Sequence, residues 1–246
     1  MLNSVVITGA SSGIGKALAF EFASRGYNLG LIARRKEVLE EIKADIENAN
    51  QVQVEVAPCD VADSDAIFPV LEDLKKRLSQ IDIVIANAGI SGINKTGTGK
   101  FAKDRQIIQV NVIGAMATVD AAAQLFRQQK YGHIVGISSV AAFVSIPGSA
   151  AYSASKAALS NYLEAVGVEL QKHHIKVTAV HPGFVKTELA PDMEKYPFVI
   201  EADKAAKDIA EGILKGKKSI TVPNMPWSIV RRLLPLVPGS IMEKVF

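Results

Sequence analysis

Short apolar runs rich in β-branched residues alternate with longer helical patterns along the chain. The runs occupy residues 4–8, 27–33, 52–58, 81–87, 132–138, 175–181 and 219–223. The helical patterns lie near residues 14–25, 36–48, 64–79, 101–130, 153–173 and 202–215. The first five runs are almost continuously apolar, which is typical of parallel strands buried on both faces. The alternation predicts a doubly wound α/β sheet, in which ligands bind at the carboxyl ends of the strands.

The chain is long enough for one of the larger domains and carries little excess charge. It has 246 residues, 48% of them hydrophobic, and we expect a single domain over residues 1–246. The 28 lysines and arginines exceed the 25 acidic residues only slightly and form no stripe, which argues against a nucleic-acid partner. The single cysteine, Cys59, allows no disulfide within the chain and is compatible with a reducing compartment.

We expect a cytoplasmic protein, because the sequence as given shows neither a charged leader nor a long apolar run. The sequence as given starts MLNSVVITG without a positively charged leader, so we expect no signal peptide. We find no apolar run that reaches the ~20 residues a membrane-spanning helix needs. The His, Cys and carboxylate residues form no cluster with metal-ligand spacing, so no metal is expected.

A glycine-rich turn joins the first apolar run to the first helical pattern. The turn reads TGASSGIG, and its candidate cofactor-binding residues are Thr8, Gly9, Ser11, Ser12, Gly13, Ile14 and Gly15. Glycines let the backbone approach a phosphate closely, and the following helix N-terminus offers free N–H groups to a pyrophosphate. A tight structural turn is the alternative, but the position in the first strand–helix unit favours a dinucleotide site.

Residues 92–101, GINKTGTGKF, resemble a second phosphate-binding motif but fail its requirements. A P-loop would need glycine at position 94, which is Asn94, and Ser or Thr at position 101, which is Phe101. We interpret this segment as a flexible loop near the active-site cleft.

The end of the second strand favours NADP(H) over NAD(H). An NAD-binding unit places an acidic residue there to hold the ribose 2′-hydroxyl, whereas this chain has Ala33, Arg34 and Arg35. Guanidinium groups pair with a 2′-phosphate that a carboxylate would repel. The alternative is a pair of solvated surface arginines, and the phosphate role is favoured more for Arg34 than for Arg35.

Further candidate cofactor residues end the third and fourth predicted strands. Asp60, followed by Val61, can accept a hydrogen bond from an adenine amino group or can cap the following helix. The small residues of Asn87, Ala88 and Gly89 suit a chain that passes under a ribose, and an ordinary strand-ending turn is the alternative. The four strand ends together favour one nucleotide-binding edge.

A candidate proton-transfer group follows the fifth strand. Ser139 ends that strand, and Tyr152 and Lys156 share a helix face because they lie four residues apart. A phenol with a pKa of about 10 donates and accepts protons poorly at neutral pH, and a nearby ammonium is expected to lower that pKa. Ser139 can hold a substrate oxygen, and Asn111, a poor helix former within a helical pattern, can order a water.

These motifs together resemble the short-chain dehydrogenase/reductase family of the compact single-domain type. The resemblance covers residues 4 to about 222 and includes T-G-x-x-x-G-x-G, N-A-G, Y-x-x-x-K and P-G-x-x-x-T. It implies a Rossmann-like seven-stranded parallel sheet and a catalytic tetrad of Asn111, Ser139, Tyr152 and Lys156. It also implies that Lys156 holds the nicotinamide ribose. The family's segment around the nicotinamide matches Pro182, Gly183, Val185 and Thr187.

The substrate region is predicted with less detail. A lid is expected over about residues 188–202, with apolar candidates Leu189, Met193, Tyr196, Pro197 and Phe198. Another wall is expected from Phe143, Val144 and Ile146. These residues favour an apolar or amphipathic carbonyl or alcohol substrate, and the alternative is that they only pack against one another.

The tail at residues 225–246 combines apolar residues with Arg231 and Arg232. It can pack on its own domain or in a homodimer or homotetramer interface, contact a membrane surface peripherally, or close over the substrate cleft.

The sequence predicts an NADP(H)-dependent carbonyl reductase or alcohol dehydrogenase. The alternative from another class is a non-catalytic regulatory or scaffold protein that binds a dinucleotide on the same fold. The presence of both Tyr152 and Lys156 favours the enzyme.

Overall fold

The computed structural model describes residues 3–144, 146–188 and 197–233, which form a parallel seven-stranded sheet with helices on both faces. The strands are β1 Ser4–Thr8, β2 Asn28–Ala33, β3 Val54–Pro58, β4 Ile83–Ala86, β5 Gly132–Ile137, β6 Ile175–Pro182 and β9 Ser219–Val222. Their order in the sheet is β3-β2-β1-β4-β5-β6-β9. A separate two-stranded pair consists of β7 Val185–Lys186 and β8 Ile200–Glu201. The predicted doubly wound, Rossmann-like sheet is confirmed.

The helices also follow the predicted alternation. They are α1 Gly13–Ser24, α2 Lys36–Ala49, α3 Ser64–Leu78, α4 Phe101–Ile108, α5 Ala115–Gln129, α6 Ala150–Leu170, α7 Ala202–Leu214 and α8 Asn224–Leu233. Short 3₁₀ turns lie at Val140–Phe143 and Gln171–His173. The helical pattern predicted over residues 101–130 contains a π-helical turn, Gln109–Gly114, between α4 and α5. Such turns are frequent at functional sites, and this one carries Asn111.

The sheet is buried on both faces, as its continuous apolar strands require. Helices α1, α2 and α7 cover one face, where Phe22, Leu39 and Ile209 are fully buried. Helices α3, α5 and α6 cover the other face, where Leu71 and Phe126 are fully buried. The two apolar layers fix the strand ends rigidly, so that the residues following each strand are held in place.

The order in which strands are added to the sheet reverses beside β1, which pairs in parallel with β2 on one side and with β4 on the other. The connections after β1 and β4 therefore leave the sheet in different directions and open a crevice at the carboxyl ends of the strands. In doubly wound sheets this switch point is the position of the ligand site.

Among the described residues, one helical stretch, Phe101–Gln129, is long and apolar enough to cross a membrane by length and composition, whereas the sequence pattern predicts no such run. Within its most apolar window, 56% is buried inside the fold, which is typical of a core helix.

The neighbouring segment at residues 92–101 forms a loop that is held by contacts with α4 and with the backbone of Gly148. Asn94 donates a hydrogen bond to the Asp104 carboxylate over 2.8 Å, and its backbone N–H donates to Gly148.

Candidate active site

The glycine turn forms a cradle at the N-terminus of α1. Gly9 and Gly13 adopt φ angles of 68° and 52°, which side chains other than glycine rarely adopt. Ser12 caps α1 in an extended conformation, and its side chain makes no capping hydrogen bond. The first N–H groups of α1 therefore lack a side-chain acceptor and face the cleft with the positive end of the helix dipole. This cradle fits a pyrophosphate.

The ends of β1 and β4 are locked together beneath this turn. The Thr8 hydroxyl oxygen accepts hydrogen bonds from the backbone N–H groups of Asn87 and Ala88, at 3.0 and 3.1 Å. The Asn87 side chain donates to the Thr8 carbonyl oxygen over 2.9 Å. A Cβ atom on Gly9 would lie 2.7 Å from the Ala88 Cα, so only glycine permits this approach.

Most of the predicted cofactor residues line one cleft, and two of them do not. Thr8 and Gly15 lie behind the cleft, where Thr8 holds the β4 end and Gly15 packs against the Gly9 backbone. The predicted residues in the cleft wall are Gly9, Ser11, Ser12, Gly13, Ile14, Arg34, Arg35, Asp60, Val61, Asn87, Ala88, Gly89, Tyr152, Lys156, Pro182, Gly183, Val185 and Thr187. The cleft has a volume of about 780 Å³. Its size and continuity suit a dinucleotide together with a small substrate.

The two arginines after β2 point to different parts of the cleft mouth. The Arg35 Nη2 atom lies 3.0 Å from the Ser11 Oγ atom of the glycine turn and 3.8 Å from the Glu188 carboxylate. Arg34 lies 3.7 Å from the Asp60 carboxylate. Asp60 also accepts a hydrogen bond from the backbone N–H of Ala62, which stabilises the loop before α3. It does not cap that helix as the alternative predicts, because the N-cap residue of α3 is Asp63.

Ser139, Tyr152 and Lys156 meet on the opposite side of the cleft. Ser139 and Tyr152 are joined by a side-chain hydrogen bond. The Ser139 Oγ atom also accepts from the backbone N–H of Ala141 over 3.1 Å, which fixes the hydroxyl at the end of β5. Lys156 is 4% exposed, and its ammonium nitrogen lies 5.8 Å from the centre of the Tyr152 ring. Strand β5 and helix α6 thus place a hydroxyl, a phenol and an ammonium in one group.

The pKa of Tyr152 differs from the sequence-based expectation. We expected Lys156 to lower it, whereas burial raises the Tyr152 pKa and the hydrogen bond with Ser139 is what opposes that rise. Desolvation of the buried phenol is the dominant cause. The Lys156 ammonium donates a hydrogen bond to the Ile137 carbonyl oxygen over 2.9 Å. Burial also lowers the pKa of Lys156 to about 8. The phenol is therefore neutral and the lysine mostly charged at neutral pH.

Asn111 is held by hydrogen bonds to its own protein surroundings. Its side chain is fully buried, with the oxygen accepting from the Ile90 N–H over 2.8 Å and the nitrogen donating to the Ile90 carbonyl over 2.9 Å. The same nitrogen donates to Ser155 over 3.0 Å. Asn111 does not line the cleft, and its contacts hold the backbone that follows Gly89.

The predicted substrate walls are only partly reproduced. Val144 and Ile146 line the cleft, but Phe143 packs against His181 with ring centres 5.1 Å apart and is not part of the wall. Phe198 is exposed, and the predicted lid residues Leu189, Met193 and Tyr196 lie outside the described residues.

Sequence reasoning missed two contributors to the site. Ser155 accepts from Asn111 and donates to the Tyr152 carbonyl oxygen over 2.7 Å. Trp227 is 7% exposed, lines the cleft and packs edge-on against Phe184 with ring centres 5.1 Å apart. A Cβ atom on Gly183 would overlap the Nε1 atom of the Trp227 ring, so the glycine of the P-G motif was an available signal for a close neighbour.

Comparison with known proteins gives consistent matches across the chain. A family model described as short chain dehydrogenase matches residues 3–196. An uncharacterized oxidoreductase from Myxococcus xanthus is 35% identical over 243 residues, which cover 98% of this chain and 94% of the relative.

Two solved structures were compared with the chain. A short-chain dehydrogenase from Sphingobium yanoikuyae in complex with NADPH has a TM-score of 0.84 and 30% identity, covering 94% of this chain and 92% of that one. A short chain dehydrogenase/reductase from Burkholderia phymatum in complex with NAD has a TM-score of 0.85 at 22% identity and the same coverage, and shows likeness of fold alone.

Proposed function

The chain belongs to the short-chain dehydrogenase/reductase family of oxidoreductases, and from this premise we propose that it interconverts a carbonyl and a secondary alcohol with NADP(H). The observation that carries the proposal is the group of Ser139, Tyr152 and Lys156 on one wall of the cleft that also contains the glycine turn. Such a cleft can hold a dinucleotide and a carbonyl compound side by side.

Bound nicotinamide supplies a hydride in reduction and accepts one in oxidation. Ser139 donates a hydrogen bond to the substrate oxygen and orients it toward Tyr152. Tyr152 transfers its hydroxyl proton to that oxygen as negative charge develops there. Because burial raises the Tyr152 pKa, the phenol carries its proton at neutral pH, which suits the reductive direction.

Lys156 has two roles in this proposal. It holds the nicotinamide ribose, and its positive charge stabilises the phenolate that remains on Tyr152 after proton transfer. Its pKa of about 8 keeps most of the population charged at neutral pH. Asn111 has a structural role in this proposal. Its hydrogen bonds to Ile90 and Ser155 fix the chain on both sides of the group formed by Ser139, Tyr152 and Lys156. Water ordering by Asn111 remains a prediction.

The cofactor residues support NADP(H) as the preferred nucleotide. Strand β2 ends in Ala33 and not in an acidic residue, and Arg34 and Arg35 both reach the cleft mouth. The two guanidinium groups can bind the dianionic 2′-phosphate of NADP(H) and favour it over the neutral 2′-hydroxyl of NAD(H). The glycine turn holds the pyrophosphate, and the Pro182–Thr187 segment faces the nicotinamide end.

The cleft wall supports an apolar or amphipathic substrate. Val144, Ile146, Phe184 and Trp227 line the same cleft as Tyr152, and so does Ile93 from the loop after β4. Burial of apolar substrate surface against these side chains contributes roughly 25 cal/mol per Å². A bulky ketone or its alcohol buries the most apolar surface against such a wall and therefore gains the most binding free energy.

The tail contributes to the site and also presents an exposed surface. Trp227 and Arg231 pack on the domain, whereas Ile229 and Leu233 are exposed one turn apart on α8. Met225 is also exposed, at a kink near the start of this helix where its backbone is not helical. We propose that this stripe lies in a homodimer or homotetramer contact, with peripheral membrane contact of a cytoplasmic protein as the second candidate. The predicted tail residues Leu234, Leu236 and Val237 lie outside the described residues.

The test is consumption of NADPH by purified wild-type protein across a panel of carbonyl compounds graded in size and polarity. We expect absorbance loss at the nicotinamide band with stoichiometric alcohol formation, fastest for bulky apolar ketones. A scaffold protein would bind NADPH and raise its melting temperature without turnover for any carbonyl. That result would contradict the proposed reaction.

A further inference from the structure

Helix α8 is tied to the body of the fold by Arg231. Its Nη1 atom lies 3.1 Å from the Ser219 Oγ atom on β9 and 3.3 Å from the His181 Nδ1 atom on β6. Its guanidinium carbon lies 5.6 Å from the centre of the Phe143 ring. The next residue, Arg232, is exposed. One side chain of α8 thus joins two strands and the 3₁₀ turn that follows Ser139.

The contact with Arg231 favours one tautomer of His181. Arginine can only donate hydrogen bonds, so a bond from its Nη1 atom to Nδ1 places the ring proton on Nε2. The Ser219 Oγ atom lies 3.5 Å from the same Nδ1 atom, and a hydrogen bond with the Ile220 backbone acts to raise the His181 pKa. The Nε2 atom lies 3.3 Å from the Ser160 Oγ atom on α6. His181 is 4% exposed, and burial together with Arg231 lowers its pKa to about 4, so the ring is neutral at neutral pH.

The direction of the remaining hydrogen bonds follows from this tautomer. Ser160 accepts from His181, and its own proton is then directed to the Ser138 Oγ atom at 2.7 Å. Ser138 accepts from Ser160 and donates to the Lys156 carbonyl oxygen over 2.9 Å. Each hydroxyl uses its single proton once, and hydrogen bonds aligned in one direction strengthen one another.

This chain of hydrogen bonds ends on the residue that carries the active-site ammonium. The Lys156 carbonyl is held by Ser138, and its ammonium is held by the carbonyl of Ile137. Ile137, Ser138 and Ser139 are consecutive at the end of β5. The register of α6 against this strand end therefore sets the position of Tyr152 relative to Ser139.

We propose that Arg231 is a positioning residue for proton transfer, acting through His181, Ser160 and Ser138 to hold Lys156 and Tyr152 against Ser139. The kinetic part of this inference rests on the proposed reductase function. The geometric part concerns only the surroundings of Tyr152 and can be tested without turnover.

The experiment compares Arg231→Met with Arg232→Met, which removes the same charge from the next position on α8. With a carbonyl that the wild type reduces, Arg231→Met lowers kcat about tenfold by misplacing the reacting groups, and leaves KM for NADPH within about twofold. The Arg232→Met variant behaves as the wild type. The Tyr152 ring resonance, observed with ¹³Cζ-tyrosine and identified by its loss in Tyr152→Phe, moves in Arg231→Met and not in Arg232→Met.

A double-mutant cycle with Ser160→Ala supplies the second measurement. Because both side chains act through one chain of hydrogen bonds, Arg231→Met/Ser160→Ala loses little more activity than the worse single variant. Ser160→Ala alone moves the Tyr152 resonance, which keeps the test available if Arg231→Met does not fold.

Three results distinguish the positioning role of Arg231, the route through Ser160 and the proposed reductase function from one another. The inference is overturned if Arg231→Met has a lower melting temperature but wild-type kcat and an unmoved Tyr152 resonance. Additive losses in the double variant overturn the proposed route through Ser160. Failure of the wild type to reduce any carbonyl overturns the proposed function, and a displaced Tyr152 resonance in Arg231→Met still supports the positioning contact.

Discussion

The ammonium nitrogen of Lys156 donates a hydrogen bond to the carbonyl oxygen of Ile137 over 2.9 Å. Ile137 ends β5 two residues before Ser139, so this bond joins helix α6 directly to the strand end that carries the hydroxyl proposed to orient the substrate. Lys156 is 4% exposed, and its ammonium nitrogen lies 5.8 Å from the centre of the Tyr152 ring. The contact explains how a buried charge is stabilised before any ligand is bound.

The pH dependence of the reduction should follow Lys156. Burial lowers its pKa to about 8, so the charged fraction is high below that pH and is lost as the pH rises through it. We expect kcat/KM for NADPH, which reports the free enzyme, to fall above pH of about 8. The matched control is Lys156→Arg, since a guanidinium stays charged. This variant is slower throughout but shows no fall near pH 8, and a wild-type profile that stays flat to pH 10 would contradict the assignment.

Acid stability should depend on two buried histidines. Burial, aided by Lys176, lowers the His133 pKa from 6.5 to about 4, and burial with Arg231 does the same for His181. The unfolded chain therefore binds more protons between pH 6.5 and 4, and the free energy of unfolding falls as the pH drops through that window. Each histidine contributes on the order of 3 kcal/mol to this loss.

Urea unfolding at several pH values between 7 and 4 measures the histidine effect. The His133→Gln variant is expected to lose less stability between pH 6.5 and 4 than the wild type, even if it starts from a lower value. The exposed His174 provides the control, because His174→Gln keeps the wild-type slope. Identical slopes for all three proteins would show that His133 does not titrate in this range.

Cofactor discrimination should depend on Arg34. Its removal by Arg34→Ala weakens NADPH binding about 10- to 100-fold, because a charge-assisted hydrogen bond to the 2′-phosphate is lost. The Kd of NADH changes little, since the ribose 2′-hydroxyl carries no charge. Isothermal titration with both nucleotides measures the difference, with Arg232→Ala as the charge control. Equal losses for NADPH and NADH would refute the phosphate role.

The glycine turn can be tested with two alanine substitutions that each impose the same kind of backbone strain, a positive φ angle on alanine. Gly9 and Gly97 have φ angles of 68° and 84°, but a Cβ on Gly9 would lie 2.7 Å from the Ala88 Cα whereas one on Gly97 meets nothing within 4 Å. Both variants lose about 1 kcal/mol of stability from the positive φ. Only Gly9→Ala also loses NADPH affinity, measured by the ligand-induced rise in melting temperature. Equal responses to NADPH would argue against the cradle.

Much of the architecture could be predicted because it depends on local patterns. Buried parallel strands need continuous apolar runs, and the glycine turn needs residues that tolerate positive φ. The tertiary contacts that single polar residues make could not be predicted in this way. The contact of Arg231 with His181 joins residues 50 positions apart, and the bonds of Asn111 to Ile90 depend on how a π-helical turn packs on a loop.

The Tyr152 pKa shows the same limit. The four-residue spacing correctly puts Tyr152 and Lys156 on one helix face, but it carries no information about burial or about the Ile137 carbonyl that holds the ammonium. Desolvation depends on every element around the phenol, so its direction was available only from the folded structure.

The most direct test of the account is the single-turnover rate of carbonyl reduction by Tyr152→Phe with NADPH bound. This change removes the phenolic hydroxyl and keeps the ring, so the Kd of NADPH is expected to stay within about threefold of the wild type. Loss of the proton donor should lower the rate of NADPH oxidation by a factor of about 10² to 10⁴. A Tyr152→Phe protein that binds NADPH normally and reduces the carbonyl at the wild-type rate would contradict the central claim.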